Sequence, residues 1–232
     1  MNRTPTRLTP ADPSSWDTFR LTHLLPAGGG VCLDLGCGPG ARNALTALGY
    51  AYVGVDRFRT AGADLVGDAV CLPIADNSID LLIAASSFEH FADPWKVSQE
   101  VYRVLKPGGI AVVSLSFLEP YHAHSYFHFS HLGAARLFES AGFTVTAMEP
   151  FEWNGPEAAA QAIFQMRLAR WLTALILRPA LWLRRIAIRV AILGLKDADR
   201  KARAIEFLEE ETFRFTAGIK LRVEKPGDKT GG

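Results

Sequence analysis

The chain has 232 residues, of which 49% are hydrophobic and 21% charged, with a formal net charge of +1. That length and mixture suit one well-cored domain with a small appendage and exclude a disordered polar chain. The near-zero charge removes nucleic acid as a default partner, and Cys32, Cys37 and Cys71 show neither a CxxC pair nor a zinc-like histidine spacing.

In chain order, the opening residues lack an apolar signal region, so a cytoplasmic protein with reduced thiols is expected. A helix is predicted from Ser14 or Ser15 to Leu25, before Pro26 and the glycines at 28–30. Val31–Leu35 reads as a buried strand, followed by a glycine turn and a helix over Ala41–Leu48 that Gly49 stops. Tyr50–Val55, Asp64–Val66 and Ile79–Ala85 read as strands, the last a near-continuous apolar run of the kind covered on both faces. A helix over Pro94–Leu105 ends in Lys106-Pro107-Gly108-Gly109, and Ile110–Phe117 follows as a strand. Helix His131–Ala141, strand Phe143–Met148, a charged helical stretch Lys196–Glu211 and a strand Phe213–Glu224 complete the pattern.

Such alternation predicts an α/β fold with a parallel sheet and helices on both faces. Ligands of these sheets bind outside the carboxyl ends of the strands, where strand order reverses. Gly36, Gly38 and Gly40 follow the first strand and allow close backbone approach to a ligand. Their spacing fits a dinucleotide turn or a bare tight turn as well as other ligands. Asp34, inside the same stretch, is the discriminating residue: a buried carboxylate needs a partner and repels phosphate. Asp56, 22 positions later, ends the second strand, where a carboxylate can accept both ribose hydroxyls. Asp68 follows the third strand and reads either as a ligand contact or as a turn residue.

The segments VCLDLGCGPG (31–40), VGVD (53–56), GDAVCLPIADNSIDLLIAASSFEHFADP (67–94) and EVYRVLKPGGIAVVS (100–114) together resemble the class I S-adenosylmethionine-dependent methyltransferases, in the type-11 subgroup. The resemblance implies a Rossmann-like, doubly wound seven-stranded sheet of order 3-2-1-4-5-7-6, with the last strand antiparallel and a helical insert before it. It puts the methionine moiety at Asp34, Gly36, Cys37, Gly38 and Gly40, and the ribose on Asp56 with Arg57 beside it. It puts adenine at Asp68 and Ala69, and lines the cofactor with Ser86 and Ser87. A sulfonium cofactor bearing an ammonium group also suits Asp34. The implied partition is a methyltransferase core over 1–155 and 206–225, an insert over 156–205 and a disordered tail over 226–232.

Methyl transfer needs the acceptor held close and water excluded, and a hydroxyl acceptor gains from a general base. Four of the six histidines fall between residues 117 and 131, after the fifth strand. His122 and His124 are the candidate bases, although the same pattern fits a solvated loop. His90 matches a histidine that shapes the pocket in the resembled family, and Glu119 and Tyr121 complete the acceptor-side candidates. No metal-ligand cluster is evident.

Residues 161–195 hold six arginines and no acid. On a wheel of about 100° per residue, Arg167, Arg178, Arg185 and Arg189 fall within about 40°. Pro179 is expected to break the segment into two helices. The segment reads either as peripheral contact with the inner face of a membrane or as a cap or homodimer face packed on the core. The overall expectation is transfer of a methyl group to oxygen of a small-molecule or lipid-linked acceptor. C-methylation of a quinone-like acceptor, a nicotinamide-dependent oxidoreductase and a membrane-associated binding protein with a vestigial site are the alternatives.

Overall fold

A computed structural model describes residues 21–119, 124–151, 170–195, 197–209, 213 and 216–227. The helix expected from Ser14 lies outside the described residues except at its end, where Thr22–Leu24 form a single 3-10 turn. The expected disorder of the tail concerns, from residue 228 on, residues outside that set as well.

The strands are β1 (Gly30–Leu35), β2 (Tyr50–Asp56), β3 (Leu65–Val66), β4 (Ile79–Ala85), β5 (Leu105–Ser116), β6 (Thr144–Pro150) and β7 (Gly218–Glu224). The helices are α1 (Arg42–Ala47), α2 (Pro94–Val104), α3 (His131–Glu139), α4 (Arg170–Leu193) and α5 (Ala198–Glu209). The seven strands form one sheet of order β3-β2-β1-β4-β5-β7-β6, parallel except for β7, which runs antiparallel to both β5 and β6. Strand order reverses between β1 and β4, which puts the ligand-binding crevice at their carboxyl ends.

Period-two alternation sorts the sheet residues to its two faces. Leu33, Leu35, Val55, Leu82, Val113 and Leu221 pack with Val97, Val101 and Phe138 of α2 and α3. Cys32, Tyr50, Tyr52, Ile83 and Val112 pack with Leu45 of α1 and Leu24 on the other side. Both faces are covered, so the strands are nearly unbroken apolar runs. Local signals set the helix starts: Asp93 caps α2 by accepting from the Lys96 amide at 3.1 Å with Pro94 next in line, and Ser130 caps α3 through the Gly133 amide at 3.2 Å.

Three expectations need correction. The Lys106–Gly109 turn does not separate helix from strand, because β5 already begins at Leu105 and carries the turn as an irregularity in its ladder with β4. Backbone bonds in both directions between Gly108–Gly109 and Lys225 hold the turn against the end of β7. Second, α4 runs through Pro179 as one helix. Proline removes one backbone donor, a loss that the strong helix formers on both sides outweigh. Third, the final strand is Gly218–Glu224 only, and Phe213 is instead helical, stacked on His131 with ring centroids 4.9 Å apart.

Candidate functional site

The glycine turn is bolted to its neighbours by the backbone. The Gly36 and Cys37 amides both donate to the Val55 carbonyl, at 2.8 and 3.2 Å, tying the end of β1 to β2. Gly36 has φ +69°, and a Cβ there would stand 2.6 Å from Ser87 Oγ, so only glycine lets the ends of β1 and β4 meet. A Cβ on Gly40, at φ +82°, would stand 2.7 Å from the Tyr52 hydroxyl and 2.8 Å from the Gly62 Cα.

Beneath the turn Asp34 is 3% exposed. Its Oδ2 accepts from the Tyr52 hydroxyl at 2.8 Å and from the Ala41 amide at 3.2 Å. The partner that its buried carboxylate requires is therefore supplied by the chain itself. Burial pushes its carboxyl above the usual range, opposed by those two donors. Burial, with the Asp34 carboxylate, holds the Tyr52 phenol protonated. The Ala41 amide is also the donor that a pyrophosphate at the start of α1 would use, and it is already committed to a carboxylate. This corner does not suit a dinucleotide.

Asp56 receives the Gly38 amide on Oδ2 at 2.9 Å and the Phe58 amide on Oδ1 at 3.0 Å. Each oxygen keeps further lone-pair capacity for a ligand hydroxyl. Asp68 accepts from the Val70 amide at 3.2 Å, the turn geometry expected of it, and still lines the cavity described next.

A cavity of about 740 Å³ lies across the carboxyl ends of β1, β2 and β4. Gly36, Asp56, Arg57, Asp68 and Ala69 form one wall, and Ser86 and Ser87 close it at the end of β4. Ser86 holds a left-handed φ of +45°, with its amide on the Ser114 carbonyl and hydroxyl oxygens, at 3.2 and 2.9 Å. Strained backbone of this kind clusters at ligand sites. The far wall carries His90, Tyr126 and His124, the last also left-handed at φ +59°.

Asp34, Cys37, Gly38 and Gly40 stand behind the cavity wall and shape the turn. The Cys37 sulfur lies 3.8 Å from the Thr60 hydroxyl, and burial pushes its thiol up. His122 and Tyr121 lie outside the described residues. Glu119 is off the cavity wall, with its carboxylate 2.9 Å from the Ser116 hydroxyl.

That hydroxyl is also 2.6 Å from Glu89 Oε1, and Ser116 has one proton with which to serve both acids. Glu89 is 0% exposed, and its Oε2 has no partner among the described residues. Sequence reasoning passed over Glu89, although it stands inside the SSFEH segment singled out for His90. It also missed Phe58, Lys96 and Tyr126, which line the cavity. Tyr126 is held there by its amide on the Glu89 carbonyl at 2.6 Å, a contact across 37 residues that no local pattern announces. Trp95 is half exposed, with its ring edge-on to Phe127 at 5.5 Å.

The cavity has the size of a nucleoside-bearing ligand. Space is open above Gly38, where a Cβ would meet nothing within 4 Å. The acids Asp56 and Asp68 on this wall favour hydroxyl donors and positive charge over phosphate.

A methyltransferase-domain family model matches residues 33–113. An uncharacterized methyltransferase of Mycobacterium bovis (strain BCG / Pasteur 1173P2) is 32% identical over 184 residues, covering 67% of this chain and 72% of its own length. An uncharacterized methyltransferase of Mycolicibacterium paratuberculosis is 31% identical over 194 residues, 71% of this chain and 76% of its own. Among solved structures, the [4+2]-cyclase SpnF superposes with a TM-score of 0.58 at 20% identity, over 94% of this chain and 85% of that one. Haemonchus contortus phosphoethanolamine N-methyltransferase 2, in complex with S-adenosyl-L-methionine, superposes with a TM-score of 0.54 at 17% identity, over 92% of this chain and 53% of that one. At those identities the two structures speak to fold alone.

Proposed function

The chain belongs to the class I S-adenosylmethionine-dependent methyltransferases of the type-11 kind, and from that premise we propose that it methylates oxygen of a small or lipid-linked acceptor. The observation that carries this reading is a single cavity joining the Asp56 wall to the His90 and His124 wall.

When bound, the cofactor supplies the transferable methyl as an electrophilic carbon on a sulfonium. The chain's own residues do the rest. Asp56 would accept from the ribose hydroxyls, and Asp68 with Ala69 would meet the adenine edge. The turn at Gly36–Gly40, held by Asp34 and Tyr52, would hold the methionine moiety together with Ser86 and Ser87 at the end of β4. Across the cavity His90 shapes the acceptor's seat. His124 takes the proton from the acceptor hydroxyl, the task for which imidazole is suited near neutral pH. His122 is the other candidate base and Tyr121 an acceptor contact in this reading, and Glu119, off the cavity wall, bonds the Ser116 hydroxyl. Positioning of the acceptor oxygen accounts for most of the acceleration, an effect worth about 7–11 kcal/mol when geometry is near ideal.

The division into a core over 1–155 and 206–225 and an insert over 156–205 is part of the proposal, with the insert holding the enzyme at the inner face of a membrane. Among the described residues no helix is long and apolar enough to cross one.

Cells with and without the protein, fed methionine labelled with carbon-13 in its methyl group, provide the test. We expect one protein-dependent product whose labelled carbon has the chemical shift of a methyl ether or ester. A label on carbon or nitrogen refutes O-methylation, and no labelled product under any condition refutes methyl transfer to a small or lipid-linked acceptor.

A further inference from the structure

The outward face of α4 presents an apolar strip to solvent. Leu175, Trp182, Leu183, Val190 and Leu193 are each at least 60% exposed, Leu193 reaching 80%. On a wheel of about 100° per residue these five and Ile186 share an arc of about 100°. From Leu175 to Leu193 the strip runs about 27 Å at 1.5 Å per residue. Arg178 and the exposed Arg189 occupy the adjoining sector of about 40°. The opposite side carries the inward contacts: Ile192 is buried, and Arg184 and Ile188 are half-buried. α4 packs on α5. Among the described residues, only the side opposite the strip is used within the chain.

Exposed apolar strips of this size mark an interaction surface. Its charge selects the partner. The helix Arg170–Leu193 contains five arginines and no acidic residue. An isologous dimer through this face would oppose the same arginine sector to itself, and α4 itself holds no acidic residue. A leaflet containing acidic lipids offers apolar depth and negative charge together.

We propose that this face of α4 docks on an anionic phospholipid bilayer, with the helix lying in the headgroup plane. Leu175, Trp182, Ile186, Val190 and Leu193 enter the boundary of the acyl chains, and Arg178 and Arg189 meet lipid phosphates. The arginine in mid-helix, Arg184, and the absence of any helix apolar enough to span, among the described residues, make the contact superficial. This deepens the reading of a membrane-side acceptor, and it rests on that reading only for its biological use.

The test is co-sedimentation of the full chain with vesicles of phosphatidylcholine alone or mixed with phosphatidylglycerol, without any turnover, so that docking and catalysis can fail separately. The parent chain should bind the anionic vesicles, weaken as salt rises and bind the neutral vesicles poorly. Arg178→Glu with Arg189→Glu should lower the anionic affinity by tenfold or more on an order-of-magnitude basis. Leu193→Asp with Trp182→Ser should lower it as well, while S-adenosylmethionine binding stays unchanged and certifies the fold. Equal binding of the parent chain to both vesicle types, or to neither, overturns the proposal. So does a concentration-dependent dimer that Leu193→Asp dissolves while vesicle binding persists at parental strength.

Discussion

The glycine-turn corner and the outward face of α4 are built on opposite plans. In the corner, polar groups answer one another inside the chain: Tyr52 and Ala41 serve the buried Asp34, and Gly38 and Phe58 serve the half-buried Asp56. On α4, large apolar side chains face water and find no answer among the described residues. A cofactor approached by backbone imposes exact spacing and strained glycines, so a few contacts carry most of the effect. A surface for a fluid partner needs only hydrophobicity and charge sign, and its effect is spread over many side chains.

That contrast can be broken or sharpened by substitution. The largest effect is expected at Asp56. Asp56→Ala removes the acceptor for two ribose hydroxyls, and hydrogen bonds to charged groups are worth roughly 1.5–3 kcal/mol each. A loss of about 10²–10⁴-fold in S-adenosylmethionine affinity by calorimetry is predicted. Asp56→Asn, which keeps one acceptor oxygen, should lose less.

Next comes Asp34→Ala, which strands the Ala41 amide, leaves the Tyr52 hydroxyl only its longer contact to the Gly62 carbonyl at 3.4 Å, and should cost about 1–3 kcal/mol in urea unfolding. Gly36→Ala follows: its Cβ would collide with Ser87 at an unfavourable positive φ, for a cost of about 1–3 kcal/mol. Ser87→Gly in the same chain should recover part of that loss, because the collision is half of it.

A smaller effect concerns pH. The Gly54 amide, opposed by partial burial and helped by the Arg42 guanidinium, holds the Asp64 carboxyl below its usual range. A folded value below the unfolded one of about 3.9 means that its stabilisation is complete above about pH 4 and fades as pH falls further. Asp34 has the opposite sign, since its raised value favours the folded state in acid and weighs against it as pH rises. Asp64→Asn should therefore flatten the decline in urea midpoint below about pH 4, by less than about 1 kcal/mol given its exposure. An unaltered acid limb contradicts that assignment. Smallest of all, Arg178→Glu with Arg189→Glu should leave cofactor affinity where it was, and any loss there would mean that the two regions are coupled.

The two plans also explain what could be read from the chain. The strands were legible because burial on both faces leaves runs such as Leu81–Ala85 without polar interruption. Asp56 was legible because strand ends and ribose acceptors come at a regular distance from the glycine turn. The role of Tyr52 was not: it meets Asp34 across 18 residues, through the parallel register of β1 and β2. Glu89, Ser116 and Glu119 come together only when the ends of β4 and β5 lie side by side. Pro179 misled because a local rule about a missing donor was applied where flanking helix propensity prevails. Phe213 misled because period-two alternation ignored the ring of His131 on which it stacks.

The central claim is that the cavity beside Asp56 takes a sulfonium nucleoside and not a dinucleotide. Titration calorimetry of the full chain with S-adenosylmethionine and, separately, with NAD tests it most directly. Saturable one-to-one binding of S-adenosylmethionine, abolished or severely weakened in Asp56→Ala, with no heat from NAD, is the predicted result. Tight NAD binding with none for S-adenosylmethionine would contradict the account at its root.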